Sequence, residues 1–169
     1  MAKRVFQAVN FTPTATADAS TLSNLTYMAL KGGSTTQQID ILEVLISGLA
    51  NATGPAIMQL SRCGALETTA TALAAPNGDG PMNPATAALA APPVSFVAAN
   101  TGPQRSNATN DGRLQMALNT FGGIIRWNAA PNQQWTQLGN ATTVGETILS
   151  AFTGTTPGAV SAHIMYEPY

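Results

Sequence analysis

Apolar residues in this chain recur at every second position, and no 3.6-residue period lasts more than a couple of turns. That pattern restricts the fold to strands, because alternate side chains of a strand point to opposite faces. Residues 5–11 (VFQAVNF) set Val5, Val9 and Phe11 on one face and Phe6, Ala8 and Asn10 on the other. Residues 38–46 (QIDILEVLI) alternate Asp40, Leu42, Val44 and Ile46 with Ile39, Ile41, Glu43 and Leu45, so both faces read as mostly buried. The β-branched content of that run favours a strand over a helix. Residues 113–119 (RLQMALN) alternate cleanly, with Leu114, Met116 and Leu118 inward. Shorter strands are expected at 25–30, 56–62, 94–98, 124–128, 134–138, 147–152 and 160–167.

Turn chemistry separates these runs: Lys31-Gly32-Gly33, residues 51–55, Asn110-Asp111-Gly112, Ala130-Pro131-Asn132 and residues 153–158. Nine or ten short strands punctuated in this way predict an all-β, single-domain β-sandwich of jelly-roll type over residues 1–169. At most one short helix is expected, with Asn83 as N-cap, Pro84 at its first position and Pro92-Pro93 as its stop. Two extended segments, near 12–24 and 74–93, are poor in apolar residues and long for connections within a compact domain. They read either as surface excursions or as arms reaching over a neighbouring subunit.

The surface of such a sandwich has to be largely neutral. Only 9% of the 169 residues are charged, against about 25% in soluble domains, and the formal net charge is −1. Nucleic acid is thereby disfavoured as a partner, since its binding requires clustered cations. Lys3 and Arg4 are the only basic pair. No apolar run approaches the roughly 20 residues of a spanning helix, and the opening MAKRVFQAVNFTP lacks the apolar core of a secretory signal. Leu, Ile, Val and Phe make up about a fifth of the chain, near the ~20% below which folding becomes difficult. A core this thin gains from association, so an oligomer is expected.

Catalysis and metal binding find little to build on. The single histidine, His163, lies in the alternating run VSAHIMYE, out of phase with Val160, Ala162, Ile164 and Tyr166. It therefore points away from the main apolar face, and no G-x-S-x-G elbow accompanies it. One histidine and one cysteine, Cys63, exclude a Cys/His zinc site within one chain, and Cys63 reads as a small packed residue. Asn77-Gly78-Asp79-Gly80 and residues 107–111 each supply one carboxylate, too few for a calcium loop, and read as turns. No cofactor, metal or catalytic residue is expected, and the chain reads as a non-enzyme.

The aromatics remain. Trp127 and Trp135 flank the turn in IIRWNAAPNQQWTQLG, and a hairpin centred near Pro131 would set them opposite each other. Such a pair serves packing first, with a subunit anchor or a sugar-stacking platform as the functional alternatives. Tyr166 and Tyr169 of the closing YEPY read as a tail clamped on a neighbour or a frayed end. Trp127, Trp135, Tyr166 and Tyr169 are therefore the candidate subunit or partner contacts.

Taken together, RVFQAVNFTPTATAD, TTQQIDILEV, LAAPNGDGPMNPATAALAAPPVSF, RWNAAPNQQW and GTTPGAVSAHIMYEP resemble the head decoration (cement) proteins of tailed double-stranded DNA bacteriophages. The resemblance implies a β-rich structural virion protein made in the host cytoplasm. It would bind the outside of the capsid, often as a trimer, and stabilise the shell by bridging major capsid subunits. The alternative reading is a receptor- or carbohydrate-binding sandwich of a phage tail or fibre, gripping a glycan through Trp127 and Trp135.

Overall fold

The computed structural model describes residues 4–12, 26–31, 36–49, 54–62, 80–82, 94–99, 113–137, 146–152 and 160–169. Among them every regular element is a strand: β1 (Phe6–Thr12), β2 (Thr26–Lys31), β3 (Ile39–Gly48), β4 (Pro55–Arg62), β5 (Gly80–Pro81), β6 (Val94–Ala99), β7 (Arg113–Asn119), β8 (Ile124–Asn128), β9 (Trp135–Gln137), β10 (Glu146–Phe152) and β11 (Val160–Pro168). The expected helix after Asn83 lies outside the described residues, as do Cys63, residues 107–111 and most of the two extended segments. Within the second segment, Gly80–Pro81 pairs with Phe6 and Gln7 of β1.

All pairings are antiparallel, in two sheets. The first runs β5-β1-β11-β3-β8, with β9 following β8 along the same strand, and the second runs β6-β2-β10-β4-β7. The long pairings are nested: β1 with β11, β2 with β10, β3 with β8 and β9, β4 with β7. A double ribbon paired in this way and rolled up, closed by β11–β3 and β10–β4, is a jelly roll. The expected fold class is thus observed.

Both sheets turn their apolar face to one core. Phe6, Ala8, Ile39, Ile41, Val44, Ile46, Val160, Ala162, Ile164 and Tyr166 come from the first sheet; Met28, Leu30, Ala56, Met58, Leu60, Met116 and Leu118 come from the second. β11 shows strict alternation, with Val160, Ala162, Ile164, Tyr166 and Pro168 buried. β4 differs, because Gln59 and Ser61 on its other face are also fully buried. Gln59 is held there by exposed Gln115 of β7, whose Nε2 donates to Gln59 Oε1 at 2.8 Å.

Simple alternation fails in β3. Met165 pairs with Glu43 while the next residue, Tyr166, pairs with Ile41, which leaves Leu42 as an extra residue in the ladder. This β-bulge shifts the phase by one position. Ile39, Ile41, Val44 and Ile46 all become inward and fully buried, whereas Asp40, Leu42, Glu43 and Leu45 are half-buried on the other side. The apolar residues that appeared to occupy both faces of this run therefore share one face. The bulge also sets the break on the neighbouring edge: β8 pairs with Glu43–Ser47, β9 with Ile39–Ile41, and Ala129 N–H donates to the Leu42 carbonyl between them.

The expected Trp127–Trp135 hairpin is not formed. β8 and β9 do not pair with each other; both line up along β3, where Trp127 faces Val44 and Trp135 faces Ile41. Residues 129–134 form an excursion from a single interrupted edge strand, with Asn132 in the left-handed region (φ 63°).

Candidate functional site

Of the four aromatic candidates, Tyr166 belongs to the core. It is fully buried and stacks on Phe6, so it offers no surface to a partner of this chain. Its inward phase follows from the alternation of β11. Trp127 and Trp135 sit opposite buried residues of β3, which turns both rings inward, half-buried against the rim of the core.

Tyr169 is exposed, yet its backbone is not frayed. Tyr169 N–H donates to the Gln38 carbonyl and Gln38 N–H donates back to the Tyr169 carbonyl, both at 2.9 Å. This pair extends the β3–β11 ladder by one rung, so the tail is clamped on its own chain. The Tyr169 hydroxyl lies 3.3 Å from Asp40 Oδ1, and Thr136 Oγ1 donates to the same oxygen at 2.6 Å. Partial burial, then the negative charge of Asp40, pushes the Tyr169 phenol above its ordinary range.

His163 occupies the outer face of the central strand β11, between Val9 of β1 and Leu45 of β3, as its phase predicted. Burial lowers its pKa from the usual 6.5, and the nearby Glu43 carboxylate opposes that shift. Its Nε2 is shut off from solvent with no hydrogen-bond partner. Glu43 itself is bridged by Arg126, which faces Leu45 from β8, at 2.7 Å. Among the described residues no three His, Cys, Asp or Glu side chains gather as a metal site would require.

The feature most suited to contact with another molecule was not visible in the sequence. Leu49, Phe121 and Ile124 are exposed by 44%, 58% and 70%, all at the corner where β3 ends and β7 turns into β8. The corner is stapled. Gly48 N–H donates to the Gly123 carbonyl at 2.7 Å, and Thr120 donates twice to the Gly54 carbonyl, from N–H at 2.8 Å and from Oγ1 at 3.0 Å. Asn119 Oδ1 accepts from Phe121 N–H at 2.9 Å and Gly54 N–H at 3.3 Å. Buried Thr120 and these bonds fix the turn, so the three apolar side chains are presented on a preorganised frame. Ile124 pairs with Ser47, on the same outward side of the first sheet as Leu45.

No protein-family model matches the chain, and no curated protein matches it. Among solved structures, the chain is similar to one from the full particle of Israeli acute paralysis virus heated to 63 degrees, at a TM-score of 0.28 and 7% identity. The match covers 98% of this chain and 66% of that one, so the chain spans about two thirds of its neighbour's length. The jelly roll is defined by the strand pairing of this chain itself.

Proposed function

We propose that the chain is a structural virion protein: a decoration or cement protein that binds the outside of a tailed-phage head and bridges major capsid subunits. The observation that carries this reading is the exposed trio Leu49, Phe121 and Ile124 on a hydrogen-bonded corner of a jelly roll with few charges. Its support in sequence is the resemblance of the opening, central and closing segments to such proteins. The role is mechanical and uses no catalytic group. Burying three such side chains gives each copy a modest contact, on the order of 1.5–3 kcal/mol per side chain at full burial. Many copies on a periodic shell convert such contacts into reinforcement by avidity. An uncharged contact also avoids the cost of desolvating ions.

The glycan-binding alternative loses its support because Trp127 and Trp135 face the core rather than presenting open ring faces. Co-sedimentation with assembled phage shells tests the proposal. Near-stoichiometric binding is expected, and Phe121→Ser with Ile124→Ser should strip the protein from the shell while leaving it folded. Recovery at only a few copies per particle, or only at the tail tip, would overturn the proposal.

A further inference from the structure

The four sheet edges are unequally protected. An unpaired edge strand is a template for another chain, and proteins blunt it with prolines, charges, breaks or short length. In the first sheet one outer strand, β5, is two residues long and contains Pro81. The opposite edge is broken between β8 and β9 by residues 129–134 and carries the exposed Arg126. In the second sheet, β6 is preceded directly by Pro92-Pro93. β7 carries the fewest of these devices. It is seven residues long, free of proline and bulges, with one charge, Arg113, at its end. Among the described residues it pairs only with β4.

Which of its backbone groups are open follows from the ladder. Thr120 N–H donates to the Gly54 carbonyl, so the pair after Asn119↔Pro55 is hydrogen-bonded. Pro55, with no N–H, occupies the non-bonded position next to it. By the alternation of antiparallel ladders, Leu114, Met116 and Leu118 bond to β4, while Gln115, Ala117 and Asn119 direct N–H and C=O outward. The Asn119 carbonyl is already used by Gly123 N–H at 3.0 Å. Among the described residues, open bonding capacity on β7 therefore centres on Gln115 and Ala117.

We infer that β7 is a self-association edge, pairing antiparallel with β7 of a second copy about a two-fold axis at Met116. In that register Gln115 bonds Ala117 of the second copy and Ala117 bonds its Gln115. The strands overlap over their full length, joining two five-stranded sheets into one. The register is self-complementary. Met116 meets Met116 and Leu114 meets Leu118 on the apolar face, where Leu114 is only half-buried in the single chain. Arg113 meets Asn119, so no like charges face each other across the seam. The two Gln115 side chains are held back by Gln59 and leave the small Ala117 at the outer surface. A second copy fits this edge better than a charged partner, and its two-fold symmetry differs from the homotrimer that the resemblance implies. The inference does not depend on capsid binding.

Sedimentation velocity of the purified chain over a wide concentration range tests it without any shell present. A reversible monomer–dimer equilibrium is expected. Ala117→Pro removes an N–H that β4 does not use, and its dimer should be weaker by about tenfold or more, since two intermolecular bonds are lost. Ala117→Lys should weaken it similarly by adding charge to the edge. Circular dichroism at the lowest concentration establishes that each variant monomer is folded, and if one is not, the other carries the test. A wild-type chain that stays monomeric, a three-copy species, or a dimer insensitive to both folded variants would each overturn the inference.

Discussion

The ring of Tyr166 stacks on that of Phe6 across the β1–β11 ladder, with centroids 5.9 Å apart and planes 20° from parallel. The two residues are direct register partners, and both are buried. This contact closes the first sheet at the end where β5 also joins β1. Removing the ring opens a cavity in the core beside Phe6 and Ile41, which a packed sandwich cannot refill. Tyr166→Ala should therefore cost about 3–5 kcal/mol, read as a drop in the denaturation midpoint. Tyr169→Ala, at a site 62% exposed, should cost far less. Equal losses in the two variants would refute the assignment of Tyr166 to the core.

His163 gives the stability a pH dependence of defined sign. Its folded pKa is depressed below 6.5 by burial, with Glu43 only partly restoring it. The unfolded chain therefore binds the proton more readily than the folded one as pH falls through 6.5. Stability is complete above that value and declines from there down through the folded pKa. Because His163 is the only histidine, His163→Gln should flatten the unfolding free energy between about pH 5 and 7. Glu43→Gln removes the opposing charge and should lower the histidine pKa further, as measured by NMR titration. A slope in that window that survives in His163→Gln would assign the effect elsewhere.

Gly48 and Gly122 tolerate substitution badly for different reasons. A Cβ on Gly48 would press into the backbone of Thr120, 2.6 Å from its carbonyl carbon, at the stapled corner. Gly48→Ala should cost about 1–3 kcal/mol or more, because the corner cannot yield without breaking its hydrogen bonds. Gly122 has open space around it but sits at φ +71°. Gly122→Ala should cost only about 1–2 kcal/mol, and Gly122→Asn, better suited to that region, less still. Thermal unfolding of the three variants orders them. If Gly122→Ala were the worst, the tight approach at Gly48 would not be the controlling constraint.

Legibility in the sequence followed from whether a feature was local. The inward set Leu114, Met116 and Leu118 and the outward phase of His163 are legible, since each needs only a two-residue period within an unbroken strand. β3 defeated the same logic because the Leu42 bulge has no marker such as glycine, and a one-residue shift moves every later side chain to the other face. The Trp127–Trp135 hairpin failed for a related reason. Pro131 and Asn132 signal a turn, but a turn can also carry an excursion from one edge strand, and the choice belongs to distant β3. The exposure of Leu49, Phe121 and Ile124 depends on the Gly48–Gly123 and Thr120–Gly54 bonds between separate parts of the chain. No local pattern encodes it.

Trp127 tests what the inward-facing aromatics do. Its ring lies over the rim of the core, opposite Val44 and on the same inward side as Ile125. Truncation should expose that rim to water rather than remove a ligand platform. Trp127→Ala is expected to destabilise the fold by about 3 kcal/mol, the low end for a large aromatic because the ring is only half-buried. Trp127→Phe should recover much of that loss by refilling the volume. A sugar-stacking role would give the opposite profile: nearly unchanged stability in Trp127→Ala, with loss of retention on immobilised glycans that Trp127→Phe partly restores. Denaturant midpoints and glycan retention measured on the same three proteins separate the two, and unchanged stability with lost retention would return the protein to the carbohydrate-binding class.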